Sequence, residues 1–306
     1  MNRKLIDFLK LPESFRIPYF GGCIYNILNR KDNAAIRKIK ITENALNTEK
    51  RDVIVTASLT SFPARIEYVY LAIKSIMLQS YKPDHIFLWL AEEQFPDKKL
   101  PKDLLGLQQF GLEIKWCDDL YGHKKYYYCI KEQKTNEVVI TFDDDILYPV
   151  DCIKHLIEKH KQYPNCLICE RAQAIDYEKD GTLKNPGCWK TISSVGVKTP
   201  SYSLNPSPGG GCLIPYNGFY KDAFSKEKIR ELAYKNDDLW YMFMAAEQGT
   251  RIIKTRKYHK TFSTIEGSQT VQMAFENVIG NRNIAIMEGL KNAYPLAYNR
   301  IITDKD

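Results

Sequence analysis

Three consecutive aspartates, Asp143 to Asp145, are the residues of this chain whose side chains and spacing best fit a ligand-binding or catalytic site. They follow the run Glu137 to Phe142, whose β-branched and aromatic residues are typical of a strand buried on both faces of a sheet. Adjacent carboxylates repel one another and are costly to desolvate, so we expect a cation beside them. Mg²⁺ or Mn²⁺ prefers such hard oxygens, and a diphosphate can complete the coordination. The alternative is a solvated acidic turn in which Asp144 or Asp145 caps the next helix.

A second acidic pair, Asp237 and Asp238, opens a predicted helix with Asn236 as its cap and Gly249 at its end. A carboxylate in such a place can act as a general base. The helix dipole also favours aspartates in a first turn, so a purely structural role stays open.

Strands and helices alternate from Asp52 to Pro149, which predicts a parallel sheet with right-handed crossovers. The strands are predicted in DVIVTASLTS, HIFLWLA, LEIKWC and EVVITF, and helices start at Pro63 and Lys124. The fold class is therefore α/β, with a Rossmann-like nucleotide-binding half and a mostly parallel central sheet. Ligands of open α/β sheets bind beyond the carboxyl ends of the strands, where Asp143 lies.

The order is looser after Pro149. A helix is predicted from Val150 to Tyr163 and a strand in CLICERAQAI, followed by an irregular stretch from Asp176 to Pro208 that is long enough to be a lid or binding loop. The triple glycine in PSPGGGCLIP permits either a close backbone approach or a tight turn. The tail contains one amphipathic helix near Gln272 to Ile279.

The 306 residues suffice for one large domain or two small ones, and 44% hydrophobic with 26% charged residues excludes a mainly disordered chain. Residues 1–51 contain eleven Lys or Arg and five Asp or Glu, so this segment carries most of the net charge of +7. We divide the chain into a basic helical arm (1–50), a catalytic domain (51–260, with halves 51–150 and 151–260) and a helical tail (261–306). The arm either packs on the main domain or lies along an anionic membrane surface.

The eight cysteines lack the spacing of a disulfide framework. Cys166 and Cys169 lie three apart in a predicted strand and so point to opposite faces, which favours buried thiols over a metal or redox pair. No uninterrupted apolar stretch suggests a signal peptide or a membrane span. We expect a cytoplasmic protein, with peripheral contact to the inner face of the membrane as the open question for the arm.

The ordered motifs of residues 52–249 resemble those of bacterial glycosyltransferases of the glycosyltransferase A fold, family 2 type, that build surface polysaccharides such as capsule or lipopolysaccharide. The segments that carry the resemblance are VTASLTSFPARI, KPDHIFLWLAEEQFP, VVITFDDDILYP, PGGGCLIP and NDDLWYMFMAAEQG. The resemblance implies a nucleotide-sugar donor, of the UDP type, at the carboxyl edge of the first half, with a divalent metal on an Asp-x-Asp motif. It also implies a glycan or lipid-linked acceptor bound by a smaller second part.

Carried over to this sequence, Asp143 and Asp145 match the Asp-x-Asp pair. Asp145 is the expected metal ligand, and Asp143 or Asp144 would hold ribose hydroxyls or a metal-bound water. His259 is a candidate for a further metal ligand, with a structural histidine as the alternative.

Further donor contacts are expected from Thr60, Ser61 and Arg65, which follow the first strand where this fold receives base and ribose. Lys124 and Lys125 would offset charge on the departing diphosphate, or are a solvated pair.

In the family's second acidic pair the later member usually serves as base, which places this role on Asp238. Many relatives have Glu-Asp where this chain has Asp-Asp, so Asp237 stays an alternative. One base opposite the leaving group implies inversion.

Two other functions remain alternatives. A sugar-phosphate nucleotidyltransferase of similar fold usually has a Gly-rich loop with Arg and Lys after the first strand, and LTSFPARI has no glycine. A non-catalytic carbohydrate- or lipid-binding protein could use the twenty tyrosines, but it would need no base. Nucleic-acid binding is disfavoured because the basic excess is confined to the arm.

Overall fold

The computed structural model describes residues 18–191, 199–255, 262–268 and 282–304. The strands are β1 (Ile54–Thr60), β2 (His85–Ala91), β3 (Leu112–Cys117), β4 (Glu137–Phe142), β5 (Ile146–Leu147), β6 (Leu167–Cys169), β7 (Ala172–Ala174), β8 (Lys190–Thr191), β9 (Leu204–Pro206), β10 (Gly210–Ile214), β11 (Ile252–Lys254) and β12 (Ser263–Thr264). The helices are α1 (Pro18–Lys38), α2 (Val69–Met77), α3 (Lys102–Leu105), α4 (Lys124–Lys131), α5 (Cys152–Gln162), α6 (Lys226–Leu232), α7 (Asp237–Gln248), α8 (Arg282–Ala293) and α9 (Pro295–Thr303).

Seven strands form one central sheet in the order β11-β6-β10-β4-β1-β2-β3. All neighbours pair in parallel except β10, which runs antiparallel to both β4 and β6. The predicted fold class, α/β with a Rossmann-like and mostly parallel central sheet, is confirmed. The arrangement is consistent with a glycosyltransferase A fold.

The core lies on both faces of this sheet because side chains alternate along each strand. In β4, Val138, Ile140 and Phe142 pack on the face covered by α2 and α5. Val139 packs on the opposite face with α4 and α7. Since β4 is buried on both faces, the carboxylates that follow it are held by a rigid element.

Two elements differ from their predicted bounds. The helix expected from Pro63 begins at Val69, because residues 63–68 form turns in which the Arg65 N–H donates to the Phe62 carbonyl at 3.0 Å. The strand predicted in CLICERAQAI divides into β6 and β7, since the chain leaves the central sheet for a three-stranded sheet of order β8-β7-β9. The tail helix predicted near residues 272–279 lies outside the described residues.

In the described part of the arm, residues 18–50, one long helix, α1, packs on the main fold. Asn33 donates to the Thr264 carbonyl at 2.8 Å, and the buried Lys74 ammonium donates to the Ile36 carbonyl at 2.8 Å. Among the described helices, none has the length and apolar character needed to cross a membrane.

The Cys166 and Cys169 thiols are not joined in a disulfide. Cys169 is buried and Cys166 is half-buried.

Candidate active site

The middle aspartate after β4, Asp144, points into the protein. Its side chain accepts hydrogen bonds from Ser61 Oγ at 2.6 Å and from Arg65 at 2.8 Å, and the residue is only 4% exposed. Burial raises the pKa of Asp144 to about 6, although the Arg65 charge opposes the shift. Asp144 therefore anchors the turn after β1 to the end of β4 and does not face an incoming ligand.

Arg65 joins this buried carboxylate to Asp145. One guanidinium nitrogen lies 2.8 Å from Asp144 Oδ1 and 2.9 Å from Asp145 Oδ2. Burial alone would lower the pKa of Arg65, but the two carboxylates outweigh it and raise the pKa. The turns after β1, which replace the first part of the predicted helix, place Arg65 here.

Asp143 occupies the space beside Gly209, in the loop before β10. The backbone N–H of Asp143 donates to the Tyr148 hydroxyl at 2.7 Å, and this hydroxyl donates to the Gly209 carbonyl. A Cβ atom at Gly209 would lie 1.5 Å from Asp143 Oδ2. The triple glycine thus permits a close approach to the aspartate, which was one of its two predicted roles.

Lys125 connects the two acidic motifs. Its ammonium group lies 2.8 Å from Asp143 Oδ1 and 2.7 Å from Asp237 Oδ2, and its side chain is 4% exposed. Burial opposes the charged form, but the two carboxylates prevail and raise the pKa of Lys125. The end of β4 and the start of α7 therefore share one buried positive charge.

Asp237 and Asp238 are adjacent but differ in environment. Burial favours the protonated form of Asp237, but Lys125 prevails and lowers its pKa. For Asp238, burial and the neighbouring Asp237 charge together raise the pKa. The Asp238 side chain reaches solvent, and water around it reduces the size of this shift but not its upward direction.

The start of α7 is fixed as the sequence predicts. Asn236 caps the helix, since its side-chain oxygen accepts from the Leu239 N–H at 2.9 Å, and Gly249 ends it with φ of +89°. These caps set the direction of the first turn, so that Asp237 meets Lys125 while Asp238 opens on a polar cavity of about 190 Å³.

Not all predicted site residues converge on the aspartates. The Thr60 hydroxyl donates to the Trp89 carbonyl at 2.8 Å, along the sheet edge. Lys124 is buried in an ion pair with Asp119, so Lys125 is the lysine that the fold brings to Asp143. His259 lies outside the described residues.

Sequence reasoning missed several neighbours of the site. Arg171 and Asn205 line the polar cavity. His123, beneath Asp237, is buried among aromatic rings and donates from Nε2 to the Ala233 carbonyl at 2.9 Å. No local signal marks these residues, since the tertiary fold brings them together.

The donor set after β4 suits a hard divalent cation better than Zn²⁺, because it offers carboxylates without an adjacent imidazole or thiolate. Within the described part of the chain, no three His, Cys, Asp or Glu side chains are placed to share a metal ion. Two carboxylates, Asp143 and Asp145, nevertheless fit a Mg²⁺-type site, in which one or two carboxylates act together with substrate phosphates and water.

No protein-family model and no curated protein matches this chain. Two solved structures are similar at 11% identity. 4-Diphosphocytidyl-2C-methyl-D-erythritol synthase from Anaerococcus prevotii covers 76% of this chain and 100% of its own, with a TM-score of 0.40. S. aureus TarS (1–349), determined with UDP-GlcNAc, covers 78% of this chain and 67% of its own, with a TM-score of 0.44.

Likeness at this level assigns neither a family nor an activity. What the chain itself shows is a Rossmann-like α/β fold in which carboxylates from β4 and α7 meet at one sheet edge.

Proposed function

We propose that this protein is a metal-dependent glycosyltransferase that moves a sugar from a nucleotide-sugar, of the UDP type, to a glycan or lipid-linked acceptor in surface polysaccharide synthesis. The observation that carries the proposal is the bridge from Asp143 through Lys125 to Asp237. It brings a cation-binding type of motif and a candidate general base to the same edge of a nucleotide-binding type of sheet.

On the donor side, Asp143 and Asp145 would hold the divalent cation. When bound, this cation would offset the negative charge that develops on the leaving diphosphate. Ser61 and Arg65 keep the aspartate turn in place through Asp144. Lys125, whose charge is already shared by two carboxylates, orients Asp143 toward the donor.

On the acceptor side, Asp238 is the proposed base. It opens on the polar cavity, whereas Asp237 is paired with Lys125, whose charge lowers the pKa of Asp237 and makes its carboxylate a weaker base. Asp238 would accept the proton of the acceptor hydroxyl as this oxygen attacks the anomeric carbon. A single base on the side opposite the leaving group corresponds to direct displacement with inversion.

The deciding experiment is a screen of UDP-, GDP- and CMP-sugars for nucleotide release by the purified protein. We expect release from a UDP-sugar with Mn²⁺ or Mg²⁺ and none with excess EDTA. The variant Asp145→Asn should lose most of this release. The matched control is Asp97→Asn, which makes the same change at an exposed residue outside the aspartate motif. Undiminished release in EDTA would reject the metal role.

The same protein preparation separates the alternatives. A nucleotidyltransferase would instead form pyrophosphate from a nucleoside triphosphate and a sugar phosphate, and a non-catalytic binding protein would catalyse neither reaction.

Membrane contact of the arm is a separate proposal, to be tested by flotation with liposomes that contain or lack anionic lipid. Equal flotation in both would reject it.

A further inference from the structure

The polar cavity beside Asp238 is built from three parts of the chain. Arg171 lies between β6 and β7, Gln173 is in β7, and Asn205 is in β9. Ser207 follows β9, and Asp238 closes the cavity from the first turn of α7. An arginine, two amides, a hydroxyl and a carboxyl thus surround a space large enough for several ligand atoms, so the cavity suits a polar ligand.

Arg171 differs from the other cations of the site because no contact with a described residue neutralises its charge. Lys125 and Arg65 each touch two carboxylates. Within the described part of the chain, Arg171 forms no ion pair, its buried Nε has no hydrogen-bond partner, and the guanidinium carbon lies 5.8 Å from the Phe262 ring. A guanidinium presents a planar set of donors that matches a carboxylate or phosphate.

Gly210 makes room for this arginine. A Cβ atom there would lie 2.9 Å from the Arg171 Cβ and 3.0 Å from its Cδ. Gly209, just before β10, therefore makes room for Asp143, and Gly210, the first residue of β10, makes room for Arg171. These adjacent glycines hold the two side chains close to each other.

Asn205 supplies an independent observation. The residue is only 4% exposed, and its Nδ2 donates to Gln173 Oε1 at 3.1 Å. Its Oδ1 is buried and has no hydrogen-bond partner among the described residues. An unpaired buried acceptor costs about 1–3 kcal/mol, so a ligand with a hydroxyl donor would be complementary to it.

We propose that the cavity binds an acceptor saccharide that carries an anionic group, a carboxylate or a phosphate, held by Arg171. Asn205 would accept a hydrogen bond from a hydroxyl of the same acceptor, and Asp238 would meet the reacting hydroxyl. This proposal rests on the proposed transferase function, which it narrows to acidic acceptors.

Binding of matched probe pairs to the full chain tests the proposal. The carboxylate arm compares methyl β-glucuronide with methyl β-glucoside, and the phosphate arm compares glucose 6-phosphate with glucose, both followed by NMR titration. A charge-assisted hydrogen bond contributes about 1.5–3 kcal/mol, so in one arm the anionic member should bind about 10- to 100-fold more tightly. Equal binding in both arms, or no binding of any probe, overturns the proposal.

Variants assign the preference to this cavity. Arg171→Gln should abolish the preference for the anionic probe, Arg171→Lys should retain part of it, and Asn205→Asp should abolish it by repulsion. Lys179→Gln removes one positive charge at an exposed position and should leave the preference unchanged. A preference that survives in both Arg171→Gln and Asn205→Asp, each checked for folding by thermal denaturation, would overturn the assignment.

Donor release by the wild-type protein is measured separately. Failure of donor release with an intact anion preference would reject the transferase but leave an anion-binding cavity. Donor release without an anion preference would reject only the acidic acceptor.

Discussion

The Asp143 carboxylate occupies the position that a side chain at Gly209 would need. A Cβ atom at Gly209 would lie 1.5 Å from Oδ2 of this aspartate, and the Tyr148 hydroxyl hydrogen-bonds to the backbone of both residues. The loop before β10 and the end of β4 therefore form one unit.

Gly209→Ala should lower metal-dependent nucleotide release by about tenfold or more, because the added methyl group must displace the Asp143 carboxylate or the loop, and small misplacements of reacting groups cost large factors in rate. The measurement is the initial rate of release from the UDP-sugar found in the screen. Gly289→Ala, in helix α8, is the control, since a Cβ atom there would lie 3.6 Å from Leu232 Cδ2 of α6, an ordinary van der Waals contact. An unchanged rate in Gly209→Ala would contradict a role for this contact.

Lys125→Met should lower the free energy of unfolding by about 3 kcal/mol, because it leaves two partly buried carboxylates, Asp143 and Asp237, without their shared cation. Urea denaturation followed by circular dichroism measures the change. Lys115→Met, which breaks an exposed ion pair with Glu113, should cost less than about 1 kcal/mol. Similar losses in the two variants would show that the bridge contributes little to stability.

Asp238→Asn should lower sugar transfer by about 10²- to 10⁴-fold, the usual contribution of a general base. Its stability at pH 7 should be retained, because the change removes a repulsion with Asp237. Asp237→Asn should instead lose stability, since Lys125 loses a partner. Full transfer by a folded Asp238→Asn variant would reassign the base.

The transfer rate should also depend on pH through Asp238. Burial and the Asp237 charge raise its pKa, and only the deprotonated form accepts a proton. We therefore expect kcat/KM to rise with pH and to level off above the raised pKa of Asp238, with a midpoint above the usual value of about 3.9. A rate that is already level at pH 4 would argue against this base.

His123 should make the fold sensitive to acid. Its Nε2 donates to the Ala233 carbonyl, its Nδ1 is buried without a partner among the described residues, and burial lowers its pKa to about 4. The unfolded chain takes up this proton near pH 6.5, so the contribution of the neutral ring to stability is lost as the pH falls from 6.5 to 4.

Denaturation of the wild type and of His123→Gln at several pH values measures the contribution of the neutral His123 ring to stability. The stability difference between the two proteins should change by up to about 3 kcal/mol between pH 7 and pH 4, at the expense of the wild type. A difference that is independent of pH would show that the pKa of His123 is the same in the folded and unfolded chains.

The sequence was sufficient to predict the features that depend on local patterns. The alternation of strands and helices, the buried strand β4 and its aspartates, and the Asn236 and Gly249 caps all follow from periodicity and capping preferences. The structure of the turns after Pro63 was not predicted, because apolar residues at helical spacing continue through them.

The pairing of charges could not be predicted, because it depends on tertiary packing. Lys124 and Lys125 are neighbours of the same type, yet successive helical residues point about 100° apart. Hence one meets Asp119 and the other meets Asp143. Arg171 precedes β7 and Asn205 lies in β9, both strands of the small sheet, and no local sequence pattern links the two residues.

The single reversed strand, β10, has a consequence for biosynthesis. It lies between β4 and β6, so a nascent chain that has emerged only as far as residue 209 leaves the edge of β4 bare. Exposed strand edges invite pairing with other chains. Translation must therefore proceed well past the aspartates before the sheet that carries them is complete. A chain that terminates after β4 but before β10 would expose this edge and be prone to aggregation.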